Sequence, residues 1–102
     1  MKRKKFGLVY EIQLVDSPEK HLANKKLDSI EDVKLEVAKL QEDDECRPLF
    51  IVNTLKQSFI IFEPEYVITD RHLAFCKHVN LLDSDFNIYN NPNPPIFWKL
   101  LN

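Results

Sequence analysis

Glycine is nearly missing from this chain: Gly7 is the single one in 102 residues, where ordinary usage near 7% would place about seven. A residue without a Cβ is what lets backbone amides crowd an anion or take φ > 0 freely. The scarcity therefore excludes phosphate-cradling loops of the GxxxxGKS or GxGxxG kind and a GxSxG nucleophile elbow. Long apolar runs are missing as well, and none approaches the roughly eighteen residues of a membrane span. Cysteine is limited to Cys46 and Cys76, thirty positions apart. The segment from Phe6 to Val15 carries Glu11 and Gln13 and no small-residue cleavage pattern, so it reads poorly as a signal-peptide core. A reducing, cytoplasmic setting with two free thiols is the expectation, a single Cys46–Cys76 bridge the alternative. Strong charge of one sign is also lacking. Fourteen basic against sixteen acidic residues give a net charge of −2, too little for a whole-protein field that holds nucleic acid.

What is present describes a folded domain. Hydrophobic residues make up 44% of the chain and charged ones 29%, a globular composition at a single-domain length. Residues 1–102 are read as one α+β domain, with a basic tail at 1–5 and an Asn/Pro-rich loop at 83–95.

Phe6, Leu8, Tyr10, Ile12 and Leu14 alternate with Gly7, Val9, Glu11, Gln13 and Val15, the period of a half-buried strand. Asp16-Ser17-Pro18 breaks it, and the polar stretch to Lys26 reads as a surface loop or a short turn of helix. Ser29 is a good N-cap, with Asp32 three residues on. Ile30, Val33, Val37 and Leu40 then share one stripe of a helix that packs on a sheet, with Leu35 off the stripe. Leu49 to Thr54 and Ser58 to Phe62 form a hairpin whose nearly continuous apolar content suits strands covered on both faces. Its connection lacks Asn-Gly or Asp-Gly, so a turn longer than two residues is expected. Thr69 or Asp70 caps a second helix running to about Leu82, with His72, Phe75, Cys76, Val79 and Leu82 on one arc. Asn90-Asn91-Pro92-Asn93-Pro94-Pro95 is turn or polyproline-like backbone, followed by a short apolar helix at the terminus. The order is βαββα with that last helix, around an antiparallel or mixed sheet.

Chemistry-bearing residues are sparse. His72 and Cys76 stand one helical turn apart, a spacing suited to a metal or to a Cys–His nucleophile. His21, His78 and Cys46 are scattered, however, and no second closely spaced pair completes a ligand set. The expected reading is a core-edge histidine and a buried thiol. Glu63 and Glu65 are held apart by Pro64, and the Glu42-Asp43-Asp44-Glu45 run lacks the glycine of a calcium loop. No catalytic residue, metal or cofactor is assigned.

Two surfaces remain as candidates. Ile96, Phe97, Trp98 and Leu101 carry the aromatic area of a partner-binding anchor, or they fold back on the domain's own core. The Pro-rich lead-in also permits exchange between copies, a homo-oligomer through this segment. Lys2, Arg3, Lys4 and Lys5, followed by Phe6 and Tyr10, form a basic arm of the kind single-stranded nucleic acid uses.

One stretch has a likeness of its own. The run from Phe59 to Leu73, a strand, the Glu63-Pro64-Glu65 break and a capped helix, resembles the strand-to-helix segment of the kinase-regulating subunit of the KEOPS tRNA-modification complex. Cys76 and Asn80 stand where that family has small alanines, and no residue is carried over from it. The resemblance implies an accessory subunit of an RNA-modification complex. By elimination, the residues themselves point to a non-enzymatic interaction protein: a cytosolic adaptor, inhibitor or antagonist of a larger protein.

Overall fold

The computed structural model describes residues 3–90 and 93–101; Lys2, of the basic tail, lies outside them. Five strands form one mixed sheet in the order β2-β1-β3-β4-β5. The elements run β1 (Phe6–Gln13), β2 (Lys20–Leu27), α1 (Ile30–Gln41), β3 (Cys46–Asn53), β4 (Ser58–Ile61), α2 (Asp70–His78), β5 (Ile96–Phe97) and a terminal 3₁₀ turn, Trp98–Leu101. The α+β class and the βαββα frame hold.

β1 lies between β2 and β3, antiparallel to both. Both of its faces are covered, so the alternation seen in the sequence divides two cores rather than core from solvent. Leu8, Ile51 and Ile60 pack with Val33, Val37 and Leu40 of α1. Val9, Phe50, Val52, Phe59 and Ile61 pack on the opposite side with Cys76 of α2 and with Leu81, Leu82 and Phe86 beyond it. The apolar run in the hairpin thus has the two-sided cover its composition requires.

Lys20–Leu27 is a strand where the sequence reads as loop or helical turn. It pairs with β1 along its whole length, from Gln13↔Lys20 to Phe6↔Leu27. Its side chains gave no period of two because it is an edge strand carrying Lys20, Lys25 and Lys26, charges that discourage further pairing. Backbone pairing, with Leu22 and Leu27 reaching one core each, holds it in place.

Pro48 sits in β3 opposite Tyr10, and the β1–β3 register shifts between Val9 and Tyr10. β4 ends at Ile61, opposite Phe50, so no strand asks Pro48 for the amide hydrogen it lacks. The bulge leaves Leu49 as the extra residue and turns both Leu49 and Phe50 toward the α2 side.

Turns are made without glycine. Gln57, Glu65 and Asn80 take positive φ of 53°, 63° and 64°. The hairpin connection spans Thr54 to Gln57, where Asn53 Oδ1 accepts from the amides of Leu55 and Lys56 at 3.2 and 3.0 Å. Gln57 ties it to the chain beyond α2: Nε2 donates to Thr54 O at 2.6 Å, and Oε1 accepts from Asp83 N at 2.9 Å. α2 stops at His78, short of Leu82, because Asn80 enters the left-handed region. The Leu81 amide then reaches back to Cys76 O at 2.8 Å, the closure that ends helices where Gly or Asn is available.

Gly7 faces the α2 side at a point where there is no room for a side chain. A Cβ there would lie 2.8 Å from Leu81 Cγ and closer still to both Leu81 methyls. The one glycine is thus a seat for a core leucine.

Candidate functional site

The C-terminal candidates divide. Ile96 and Phe97 pair in parallel with Ile60 and Ile61 at the β4 edge. Trp98 and Leu101 pack against the α1-side core, with the Trp98 and Phe62 ring centroids 5.2 Å apart. Ile96 remains exposed. Trp98→Ala is expected to lower stability by about 1–2 kcal/mol, less than a fully buried tryptophan would, as read from the urea midpoint. An unchanged midpoint would mean that Trp98 contributes nothing to the core and is free for a partner.

The basic arm is partly neutralised. Arg3 Nη1 lies 2.7 Å from Asp83 Oδ1, and its Nη2 donates to Asn80 Oδ1 at 3.2 Å. Lys4 Nζ lies 3.6 Å from Asp28, while Lys5 is exposed. The arm's backbone is also fastened: the Thr54 hydroxyl donates to Lys4 O at 2.6 Å, and the Thr54 amide donates to Lys5 O at 2.9 Å.

His72 and Cys76 share the inner face of α2 but do different work. Thr69 caps the helix: its Oγ1 accepts from His72 N at 3.4 Å, and the His72 Nδ1 accepts from Thr69 N at 3.1 Å. Histidine here takes the place usually held by Glu or Gln in a capping box. Its ring meets Phe50 edge-on at 5.5 Å and stacks on Tyr66 at 6.1 Å. Burial holds its pKa below the ordinary value. Cys76 is fully buried, and burial pushes its thiol up to about 12, so the nucleophilic thiolate is suppressed.

The other polar candidates are joined locally. Cys46 Sγ donates to Asp43 Oδ2 at 3.5 Å, and its pKa is raised by burial and then by Asp43. Asp43 Oδ1 accepts from Glu45 N at 2.9 Å, and Glu45 Oε2 accepts from Val15 N at 3.3 Å. Glu63 pairs with Arg47 at 2.8 Å. Among the described residues, no three His, Cys, Asp or Glu side chains gather into a metal-holding group, and no helix is long and apolar enough to cross a membrane.

The surface that stands out lies on the α2 side, along the loop after the helix. A hollow of about 320 Å³ is lined by Phe59, Tyr66, Val67, Ile68, Ile88 and Pro95 among others. A second, of about 350 Å³, opens between α2 and the loop, where Leu73, Phe86, Ile88 and Tyr89 share the lining with Asp70, Lys77 and Asn87. Ile88 is the ridge between them. A third hollow, lined by Lys56, Ser58, Pro94 and Ile96, lies at the β4 edge, where Ile96 pairs with Ile60 of the α1-side core. Tyr89 is 91% exposed and Val67 72%, large apolar area left on the rim. Sequence reasoning missed Val67, Ile88 and Tyr89. The available signal was two large side chains, Ile88 and Tyr89, inside an 87–95 stretch otherwise built of Asn and Pro.

Comparison of the chain with protein-family models, with curated proteins and with solved structures finds no match in any of the three. The likeness of the Phe59 to Leu73 run to the KEOPS subunit gains no support from these comparisons.

Proposed function

We propose that this chain is a non-catalytic protein-interaction domain, of the adaptor, inhibitor or antagonist kind, that takes apolar side chains of a protein partner on either side of Ile88. The observation that carries the reading is the paired hollows with Val67 and Tyr89 exposed on their rim. The first hollow is mostly apolar, and aromatic and aliphatic area beside such a concave lining is the composition of a binding hot spot; the second mixes Leu73, Phe86 and Ile88 with Asp70, Lys77 and Asn87. The titratable side chains give it further support, since His72 is spent on a helix cap and the Cys76 thiol is driven far from reactivity. Pairing of Arg3 with Asp83 and Lys4 with Asp28 weighs against the nucleic-acid alternative.

Site-directed photocrosslinking tests it. A photoreactive phenylalanine analogue in place of Tyr89 is expected to capture a partner protein from native lysate, and the same analogue in place of Leu35, an exposed apolar residue on α1, is expected not to. Equal capture at both positions, or none at 89, overturns the proposal. Salt-sensitive binding of labelled oligonucleotides would replace it with the nucleic-acid reading.

A further inference from the structure

We infer that the start of α2 is an acid-sensitive latch: His72 holds Thr69, and through it the Tyr66 to Ile68 wall of the first hollow, only while its imidazole is neutral. The geometry assigns the proton. Because the Thr69 amide donates to Nδ1 at 3.1 Å, Nδ1 must present a lone pair and the ring hydrogen must sit on Nε2. A second proton at Nδ1 sets one donor against another. The Thr69 hydroxyl, also 3.1 Å from Nδ1, can turn to receive that proton, but the Thr69 amide cannot and is left without its acceptor.

The surroundings add to the effect. The His72 residue is 8% exposed and its ring lies against Phe50 and Tyr66, so an imidazolium there gives up most of its hydration. Among the charged groups around it, Arg71 on α2 opposes the positive charge and Glu11 on β1 favours it. Tyr66 and Cys76, the other titratable groups packed nearby, both have raised pKa values and stay neutral. Desolvation dominates, and the imidazole titrates below 6.5 in the fold. The sign follows: above the ordinary value the latch is fully closed, and as pH falls below it the open form gains a proton that the closed form does not hold. Between the two pKa values the opening constant rises about tenfold per pH unit.

The wall of the hollow depends on this latch. Tyr66 stacks on the imidazole, and Val67 and Ile68 lead directly into Thr69, so release of the cap loosens three lining residues together. That consequence for binding rests on the proposed interaction surface; the latch itself does not.

Amide hydrogen exchange by NMR between about pH 7.5 and about pH 5, on either side of the ordinary imidazole value, tests the inference. After correction for intrinsic exchange, protection at Thr69 and His72 is expected to fall as the pH drops below the ordinary imidazole value, with a limiting slope of about tenfold per unit. In His72→Gln, which keeps a capping-box acceptor that does not titrate, protection is expected to stay level. Level protection in the natural chain, or the same fall in His72→Gln, overturns the latch. Should His72→Gln fail to fold, the imidazole nitrogen shifts of the natural chain decide: a proton on Nδ1, or a midpoint at or above 6.5, overturns it. These readouts need no partner. Absence of crosslinks at position 89 at either pH, beside a pH-dependent Thr69, would count against the interaction surface alone.

Discussion

Phe50→Ala is expected to cost about 3–5 kcal/mol, the range for truncating a buried phenylalanine. That is a large share of the roughly 5–15 kcal/mol available to a small domain. Phe50 is fully buried at the middle of the sheet, opposite Val9 on β1 and Ile61 on β4. It is also where the aromatic groups of the α2 side converge, with Phe59 edge-on at 5.9 Å, Tyr66 at 6.4 Å and His72 at 5.5 Å. Removing the ring leaves a cavity bounded by β-strands on one side, and so unable to collapse far. It also takes away the surface that desolvates the His72 imidazole. At about 4–8 °C per kcal/mol for a domain of this size, the melting transition should fall by well over 10 °C. Phe50→Leu, which retains most of the volume, should cost less than about 1.5 kcal/mol. Calorimetry or urea denaturation checks both. A loss under about 1 kcal/mol for Phe50→Ala would mean that the α2 side does not pack as one core around this ring.

Gly7→Val is the second large effect, and its sign runs against propensity. In an ordinary strand, valine is favoured and glycine costs roughly 0.5–1 kcal/mol. At this position the first side-chain carbon would collide with Leu81, which is 1% exposed and would have to repack within the core. Overpacking of this kind typically costs about 1–3 kcal/mol, and the branched side chain places Gly7→Val at about 3. Leu81→Ala should relieve the collision, so the double variant Gly7→Val/Leu81→Ala is expected to be more stable than the sum of the two single losses implies, with a coupling of about 1–3 kcal/mol. Simple additivity, measured by urea denaturation, would show that Leu81 is not what keeps position 7 small.

The surface readings depend on the same packing. Leu81 fills the seat at Gly7, and Gln57 bonds the Leu81 carbonyl at 3.4 Å and the Asp83 amide at 2.9 Å. The chain after α2 is thereby fastened at its start before it passes Ile88 and Tyr89. Loosening either of these anchors is expected to move the ridge between the two hollows.

Local rules carried the amphipathic stripe of α1, the Ser29 and Thr69 caps, the long hairpin turn and the apolar β3–β4 pair, because each is set by neighbours a few residues apart. β2 escaped them: an edge strand is stabilised by backbone bonds to β1, which leave no side-chain period. The end of α2 escaped as well, since Asn80 enters the left-handed region where the apolar arc alone would continue the helix. His72 and Cys76 were legible as residues of an inner helix face, whereas the cap bond to Thr69 and the aromatic cover from Phe50 were not. Val67, Ile88 and Tyr89 meet only because residues distant in the chain are brought to one side of the sheet.

By itself, then, the sequence determined an α+β domain without the glycine that phosphate loops and nucleophile elbows require, and with turns built from other residues. Only the tertiary structure decided that the lone glycine makes room for Leu81, that Trp98 and Leu101 pack on the core, and that the exposed apolar surface lies along Ile88 and Tyr89. Propensity and period act over a few residues, whereas room, burial and exposure are fixed by which distant segments share a face.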